Sequence, residues 1–378
     1  MTAMLRSATL RGKEVELSWG DGHPDATVSL FWLRDHCLSP ATHHPETRQR
    51  LIDTFAIPHN IAARAVSLEE DGRALRVDWA EEDLVSRFEA SYLADLRDDP
   101  EVLPIRRRLW DSAEIEASLP QVPYEGMIGD DAVLKDFLEK VEAWGFCFVE
   151  GVPGVPEATQ EVAKRVTYIR ETIFGGYWDF TANMEHKDTA YTSMAIGPHT
   201  DGTYSFDAPG YQMFHCLAAE CTGGENILID GFKVAEIIER EHPDDYEVLT
   251  AIAIPGQYLD HERGIHLMAR RPLLRLDGAG RLVQVSYNNH DRAPFALPPA
   301  RQKAFYKALG TFARLCGERS LQYYRRLLPG TVLLFDNWRV LHARTAYTGY
   351  RRLSGVYLNK EDVESRLRVL RIKAGEPV

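Results

Sequence analysis

The chain predicts a mainly β protein with flanking helices, in two parts. A small β-rich domain is expected over residues 1–100 and a barrel or jelly roll over 131–378, with a linker at 101–130. Three observations carry this. Short runs that alternate apolar and polar residues fill the first hundred positions. At Asp131 the apolar spacing changes to that of a helix. After residue 196 many short apolar runs follow, separated by turn residues, which suits a barrel or jelly roll better than a parallel α/β sheet.

In order along the chain, "EVELSW", "VSLFWL" and "ALRVDW" read as strands of the first domain. The stretch "LRDDPEVLPIRRRLWDSAEIEASLPQVPYEG" mixes charge clusters with scattered prolines and few periodic apolar positions, which predicts a linker. Val133, Phe137, Val141 and Trp144 recur at helical spacing, Gly145 closes that helix, and "FCFVEGVPG" follows as a strand. A second helix runs through Val162, Val166 and Ile169 into the aromatic stretch "FGGYWDF". "MFHCLA", "NILID", "LLRLDG", "LVQVSYNN", "TVLLF" and "RLSGVYL" are the later strands, interrupted by helical segments near 232–252 and 298–317. There is no internal repeat and no low-complexity tract.

Composition narrows the function classes. With 378 residues, 44% apolar and 26% charged, the chain has the make-up of a soluble globular protein. No apolar run approaches the roughly 18 residues of a membrane span. The N-terminus lacks the apolar core and cleavage site of a signal peptide, so a cytoplasmic protein is expected. The five cysteines are scattered and odd in number, which argues against a disulfide framework. A net charge of -12 disfavours nucleic acid and anionic membranes as partners and leaves small molecules.

The chemistry centres on "GPHTDGTY", residues 197–204. His199 and Asp201 alternate, so a strand ending in a turn can point both to one side. A third ligand should come from another strand of the same barrel. Of the other 12 of the 13 histidines, His342 fits best, because it follows the apolar strand "TVLLF" and the polar turn "DNWR". His199, Asp201 and His342 would form a facial triad that leaves three positions of an octahedral iron(II) open. A bidentate cosubstrate takes two of them and dioxygen the third. An isolated HxD is weak evidence. Arg351, nine residues beyond His342, adds to it: if the cosubstrate is 2-oxoglutarate, its far carboxylate needs a buried cation, and arginine suits that bidentate task. Strand alternation lets only one of Arg351 and Arg352 face inward, and a surface ion pair is the plainer reading of either.

On "AYT...HTDGTY", "GYQMFHCL...CTGGENILIDGF", "YNNHDRAPF", "FDNWRVLHAR" and "YTGYRRLSGVYL" the chain resembles the γ-butyrobetaine/trimethyllysine dioxygenases, iron(II)- and 2-oxoglutarate-dependent hydroxylases of the taurine dioxygenase superfamily. "FWLRDHC" resembles that family's N-terminal domain. The resemblance implies a double-stranded β-helix (jelly-roll) catalytic domain, His199, Asp201 and His342 as iron ligands, and Arg351 as the 2-oxoglutarate clamp. Asn226 stands after "TGGE", where relatives often reach 2-oxoglutarate with a hydroxyl; a turn asparagine is the bland alternative. Relatives with a structural zinc carry three close cysteines after "WLRD". Here Cys37 stands alone beside His43 and His44, so no zinc is expected and Cys37 is read as a small buried residue.

The same resemblance points to Trp178, Tyr191 and Tyr357, with Phe174 where one branch has tyrosine, as a cage holding a trimethylammonium head by cation–π attraction. Ordinary core packing is the alternative for each ring taken singly. Asn289 matches a position that binds the substrate's polar end, and Asp188 one that is aspartate in the trimethyllysine branch and asparagine in the other. Asp188 suits an amino group and repels a bare carboxylate, unless it simply pairs with Arg292 or Lys187. The expected activity is hydroxylation of an unactivated C–H bond of a small trimethylammonium zwitterion, with a trimethylaminoethylphosphonate as the alternative substrate. A zinc hydrolase gives no reason for Arg351, and a non-catalytic barrel that binds a quaternary amine would not need all three ligands. A homodimer is the family's usual state.

Overall fold

The alternating runs at the N-terminus form two three-stranded antiparallel sheets. The first joins β1 (Leu5–Arg11), β2 (Glu14–Trp19) and β3 (Ala26–Ser29), and the second joins β4 (Ala63–Glu69), β5 (Ala74–Trp79) and β6 (Val85–Glu89). In β2 the period of two buries Val15, Leu17 and Trp19, and in β5 it buries Leu75, Val77 and Trp79. These side chains share one hydrophobic cluster with Leu30, Leu33, Cys37 and Phe88. "VSLFWL" is a strand only as far as Ser29. Its hydroxyl accepts from the Trp32 backbone N–H at 3.1 Å and caps helix α1 (Leu30–Asp35), so "LFWL" is helical where a strand was expected. A short α2 (Ala90–Ala94) ends the unit. Cys37 is buried, and its sulfur accepts from the Ser86 hydroxyl at 3.1 Å. The computed structural model describes residues 3–20, 24–80, 84–94, 106–180 and 192–376. It divides the chain into Met1–Pro104 and Ile105–Val378.

The second unit begins with α3 (Ser112–Ala117), β7 (Gln121–Pro123), α4 (Tyr124–Gly129), α5 (Asp131–Trp144), β8 (Phe146–Glu150), α6 (Pro156–Val166) and β9 (Trp178–Phe180). β10 (Ile196–His199), β11 (Tyr211–Gly223), β12 (Asn226–Asp230), α7 (Gly231–Glu241) and α8 (Pro243–Ala251) follow. Next come β13 (Ile254–Asp260), β14 (Ile265–Arg271), β15 (Leu274–Leu276), β16 (Leu282–Val285) and α9 (Pro299–Cys316). The chain closes with β17 (Tyr323–Arg325), β18 (Thr331–Asp336), β19 (Val340–Arg344), β20 (Tyr347–Leu358) and α10 (Lys360–Lys373). A six-stranded sheet has the order β7-β8-β18-β11-β20-β9, and a four-stranded one β10-β19-β12-β17. All pairs are antiparallel except β7 with β8. Among the described residues no helix is long and apolar enough to cross a membrane.

Two clusters explain why β8 reads as an unbroken apolar run. Its Cys147 and Val149 face α5 and α6, while Phe146 and Phe148 pack with Leu228 of β12, Tyr323 of β17, Leu333 and Phe335 of β18, Val340 of β19 and Leu353 of β20. The second group draws on both sheets, so it is the core between them. α5 starts on Asp130, whose carboxylate accepts from the Ala132 N–H, and ends at Gly145 with φ of 78°.

The described part of the expected linker, 106–130, is instead structured. Trp110 is fully buried and donates its indole N–H to the Trp144 carbonyl at 2.7 Å, Asp111 and Glu114 form a capping box on α3, and Val122 extends the six-stranded sheet. Its buried residues, Trp110, Ile115, Val122 and Met127, are too widely spaced to show a period. Charges on the outward positions therefore dominate the sequence signal.

Below the sheets lies a buried ion pair. Arg339, 1% exposed, places Nη2 at 2.8 Å and Nε at 3.1 Å from the Asp230 carboxylate, donates Nη1 to the Ala143 carbonyl at 2.9 Å, and also bonds the Arg108 carbonyl. Asp230 in turn caps α7 through the Phe232 N–H. Both groups are buried and paired with each other, so removing one partner strands a charge in the core. Arg339→Met should lower the unfolding free energy by about 3–5 kcal/mol in a denaturant titration followed by tryptophan fluorescence.

Candidate active site

The four-stranded sheet sets the site by its register. His199 on β10 lies directly opposite His342 on β19, and a cross-strand pair shares one face. Arg344, two residues past His342, keeps to that face, and on β12 Asn226 is registered opposite Arg344. After His199 the chain turns at Gly202 with φ of +71°, where a Cβ would come within 2.6 Å of Pro209 Cδ. Only glycine fits this turn, and it carries Asp201 back over the histidines.

The Asp201 backbone is held by a side chain from the turn between β18 and β19. Asn337, 1% exposed, accepts from the Asp201 N–H at 2.7 Å and donates to the Asp201 carbonyl at 3.0 Å and the Pro209 carbonyl at 2.9 Å. The Asp201 Oδ2 accepts from the Tyr357 hydroxyl at 2.7 Å. That leaves Oδ1, which lies 3.4 Å from His199 Nε2 and 3.7 Å from His342 Nε2. His199 Nδ1 is bonded to the Gly197 carbonyl at 2.9 Å, so its Nε2 carries the lone pair toward the cavity. The donor atoms of the three residues all lie within 4.8 Å of one another. Two ligands at about 2.1 Å and a right angle from a metal are about 3.0 Å apart, so closing these two contacts, by about 0.4 and about 0.7 Å, would bring the donors to the spacing of an octahedral face.

The electrostatics suit such a centre. Burial alone would raise the Asp201 carboxyl, but the His342 and His199 charges and two hydrogen bonds hold it well below the usual carboxylate range. Burial, then repulsion from His199, pushes His342 down to about 3. His199 moves up, because its hydrogen bond and attraction to Asp201 outweigh burial. One ionised carboxylate beside a neutral imidazole is a metal donor set.

Away from the three donors, Arg351 and Arg344 line the same cavity. Arg351 is 7% exposed and makes no ion pair among the described residues; its Nη2 donates to Asn226 Oδ1 at 3.4 Å. The Asn226 amide nitrogen is buried and has no partner among the described residues. Arg344 donates to the Thr192 and Met194 carbonyls at 2.7 and 2.6 Å. Burial lowers both guanidinium groups, Arg344 to about 10 with a further push from Arg351. Arg352 points the other way and pairs with Asp179 at 2.6 Å, which resolves the choice between the two neighbours.

The remaining walls are aromatic. Trp178 and Tyr357 line the cavity with ring centroids 5.5 Å apart, and Phe174 lines it with them. Trp178 lies flat on β20 because Gly355 is opposite it; a Cβ there would fall 2.1 Å from the indole ring. Tyr191 and Asp188 fall outside the described residues. Asn289 is not in the cavity: it is exposed and lines a neighbouring cleft with Arg292, while Asn288 lines the site. Asn289 lies in a bend where the Asn288 side chain accepts from the His290 N–H, and matching motifs does not fix which asparagine turns inward.

Asn337, Arg344, Gln212, Tyr204 and Asp291 belong to the site and were not singled out from the sequence. Arg344 was within reach, since alternation from His342 places it. Asn337 was visible only as part of the turn "DNWR".

Two histidines on one sheet and a carboxylate on the turn beside them, with a buried arginine on the same cavity, are the site of a mononuclear iron dioxygenase of the 2-oxoglutarate-dependent class. Residues 107–357 match the family described as taurine catabolism dioxygenase TauD, TfdA, and residues 7–94 match the γ-butyrobetaine hydroxylase-like N-terminal family. The chain belongs to the TauD/TfdA dioxygenases and carries the N-terminal unit of the γ-butyrobetaine hydroxylase-like proteins. It is 35% identical to a trimethyllysine dioxygenase of Meyerozyma guilliermondii, over 96% of this chain and 94% of that one. The mitochondrial trimethyllysine dioxygenase of Gallus gallus is 36% identical, over 97% and 88%. A γ-butyrobetaine dioxygenase of Pseudomonas sp. is 31% identical, over 97% and 96%.

Because Asn337 positions Asp201 without touching the metal face, Asn337→Ala should weaken iron(II) binding by about tenfold or more in an anaerobic titration.

Proposed function

We propose that this dioxygenase hydroxylates an unactivated C–H bond of a small trimethylammonium zwitterion of the trimethyllysine or γ-butyrobetaine type, on a jelly-roll scaffold built from the two sheets. The observation that carries the reading is a single cavity lined by the His199–Asp201–His342 cluster, by buried arginine, and by Trp178, Tyr357 and Phe174. The relatives' names point the same way.

The three residues would hold iron(II) through His199 Nε2, Asp201 Oδ1 and His342 Nε2. Iron held there would supply, with 2-oxoglutarate and dioxygen, the oxidant for a C–H bond: one oxygen atom would enter the substrate and the other succinate, and the carbon lost from the cosubstrate would leave as carbon dioxide. Arg351 is a fixed guanidinium for the far carboxylate of 2-oxoglutarate, and the unpartnered Asn226 amide stands beside it as a further donor. The Tyr357 hydroxyl fixes which Asp201 oxygen faces the histidines, and its ring forms part of the substrate wall. Trp178 offers its face to the quaternary head, which has no N–H to donate and is held by ring electrons alone. Tyr191 belongs to the same cage on the resemblance of its segment. These residues contribute placement and exclusion of water, so they decide which carbon meets the oxidant.

A panel of trimethylammonium compounds, scored by succinate release and a mass gain of one oxygen, tests the reading; no oxygenated product from any of them would sink the substrate class. Anaerobic iron(II) with 2-oxoglutarate should give a metal-to-ligand charge-transfer band, which a zinc hydrolase or a bare binding barrel would lack. Trp178→Ala should raise the substrate KM by roughly thirtyfold, the equivalent of about 2 kcal/mol of desolvated cation–π attraction, and leave the charge-transfer band in place.

A further inference from the structure

Gln212 is a polar side chain that packing alone does not call for. It lies on β11, 2% exposed, registered between Phe335 of β18 and Tyr357 of β20, and Phe214 lines the same cavity two residues on. Its Nε2 donates to the Tyr357 hydroxyl at 3.3 Å, while its Oε1 is buried and has no partner among the described residues. An unpaired buried acceptor costs free energy that an apolar side chain of similar volume would not. The one side-chain bond the amide does make is to Tyr357, so the reason for it lies there.

A phenol has one hydrogen to give and lone pairs to receive with. Because Gln212 supplies a hydrogen to the Tyr357 oxygen, the hydroxyl's own hydrogen is left for Asp201 Oδ2, 2.7 Å away. An acceptor at Gln212 would instead draw that hydrogen off and turn a lone pair toward the carboxylate. The direction matters because a carboxylate can bind a cation through one oxygen or through two. With Oδ2 engaged by Tyr357, Oδ1 alone is left facing the two histidine nitrogens. One oxygen and two nitrogens leave three of six positions open; a second oxygen would leave two, which a bidentate cosubstrate fills, with none for dioxygen. We propose that Gln212 is a positioning residue: by directing the Tyr357 hydroxyl it keeps Asp201 a one-oxygen ligand and the dioxygen position open. This rests on the iron and 2-oxoglutarate reading above and is independent of the substrate.

The test uses nitric oxide, which binds iron(II) in the place of dioxygen, on anaerobic wild type, Gln212→Met, Tyr357→Phe and the double variant. Methionine keeps an unbranched side chain of similar length and removes the donor. In each single variant the iron(II) complex with 2-oxoglutarate should bind nitric oxide about tenfold more weakly, read from its electron paramagnetic resonance signal. Iron(II) and 2-oxoglutarate affinities should move by less than about twofold, and the double variant should bind nitric oxide no more weakly than Tyr357→Phe, since residues acting in series share one effect. The denaturation midpoint of Gln212→Met should not fall, because the unpaired acceptor leaves with the bond. Unchanged nitric oxide binding, additive losses in the double variant, or a joint loss of iron(II) affinity and denaturation midpoint would each overturn the assignment. A wild type without the charge-transfer band would remove the dioxygenase reading and this inference together. Variants that match a wild type showing that band would remove the role of Gln212 alone.

Discussion

The Asn337 amide is the interaction on which the site depends. Asp201 sits on an irregular turn, where strand pairing cannot satisfy its backbone groups, and buried backbone groups left unpaired cost free energy comparable to a lost hydrogen bond. A side-chain amide solves this because it presents a donor and an acceptor in the same plane, as a strand neighbour would. The amide stands at the start of the turn between β18 and β19. The same turn donates from the Trp338 indole to the Ala208 carbonyl at 3.1 Å and sends Arg339 to Asp230. Asp336, just before it, caps the turn at the Trp338 N–H and is paired with the half-buried Lys360 at 2.6 Å. Three metal-side residues from distant parts of the chain are thereby set by one hairpin: His342 is on its second strand, His199 is registered against that strand, and Asp201 is bound to its turn.

Around that centre the cavity sorts charge by position. The Arg344 and Arg351 guanidinium groups are both lowered by burial, and Arg351 pushes Arg344 down further, an arrangement that favours an anion beside them. The aromatic wall carries no formal charge, and Asp291 adds a second carboxylate to the cavity lining. A zwitterion with separated charges matches this pattern better than a neutral or singly charged molecule. Folding bears the cost of burying these groups, and the site is rigid because each is hydrogen-bonded to the scaffold: Arg351 to Asn226, Arg344 to two carbonyls, Asp291 to Asn288 and Thr203.

Much of this was legible in the chain. Period-two runs located β2 and β5, the apolar run "RLSGVYL" the end of β20, the helical spacing up to Gly145 located α5, and "TVLLF", a polar turn and His342 marked the hairpin of the site. His199, Asp201, His342, Arg351, Trp178, Tyr357, Phe174 and Asn226 were all named from motif and resemblance, and they line one cavity. That these side chains share a cavity was legible because alternation along a strand is a local property.

What the sequence could not decide was the outcome of competition between neighbours that are locally equivalent. Arg351 over Arg352, Asn288 over Asn289, and helix over strand at "LFWL" turn on register, bulges and a capping serine, which depend on partners far away in the chain. Residues 106–130 looked like a linker since their few buried side chains have no period, yet Trp110 is buried and hydrogen-bonded both to Trp144 and to Asp230. Asn337 and Asp291 have no local signature either. Their roles come from hydrogen bonds across 136 and 88 positions, and such pairings exist only once the sheets have brought those segments together.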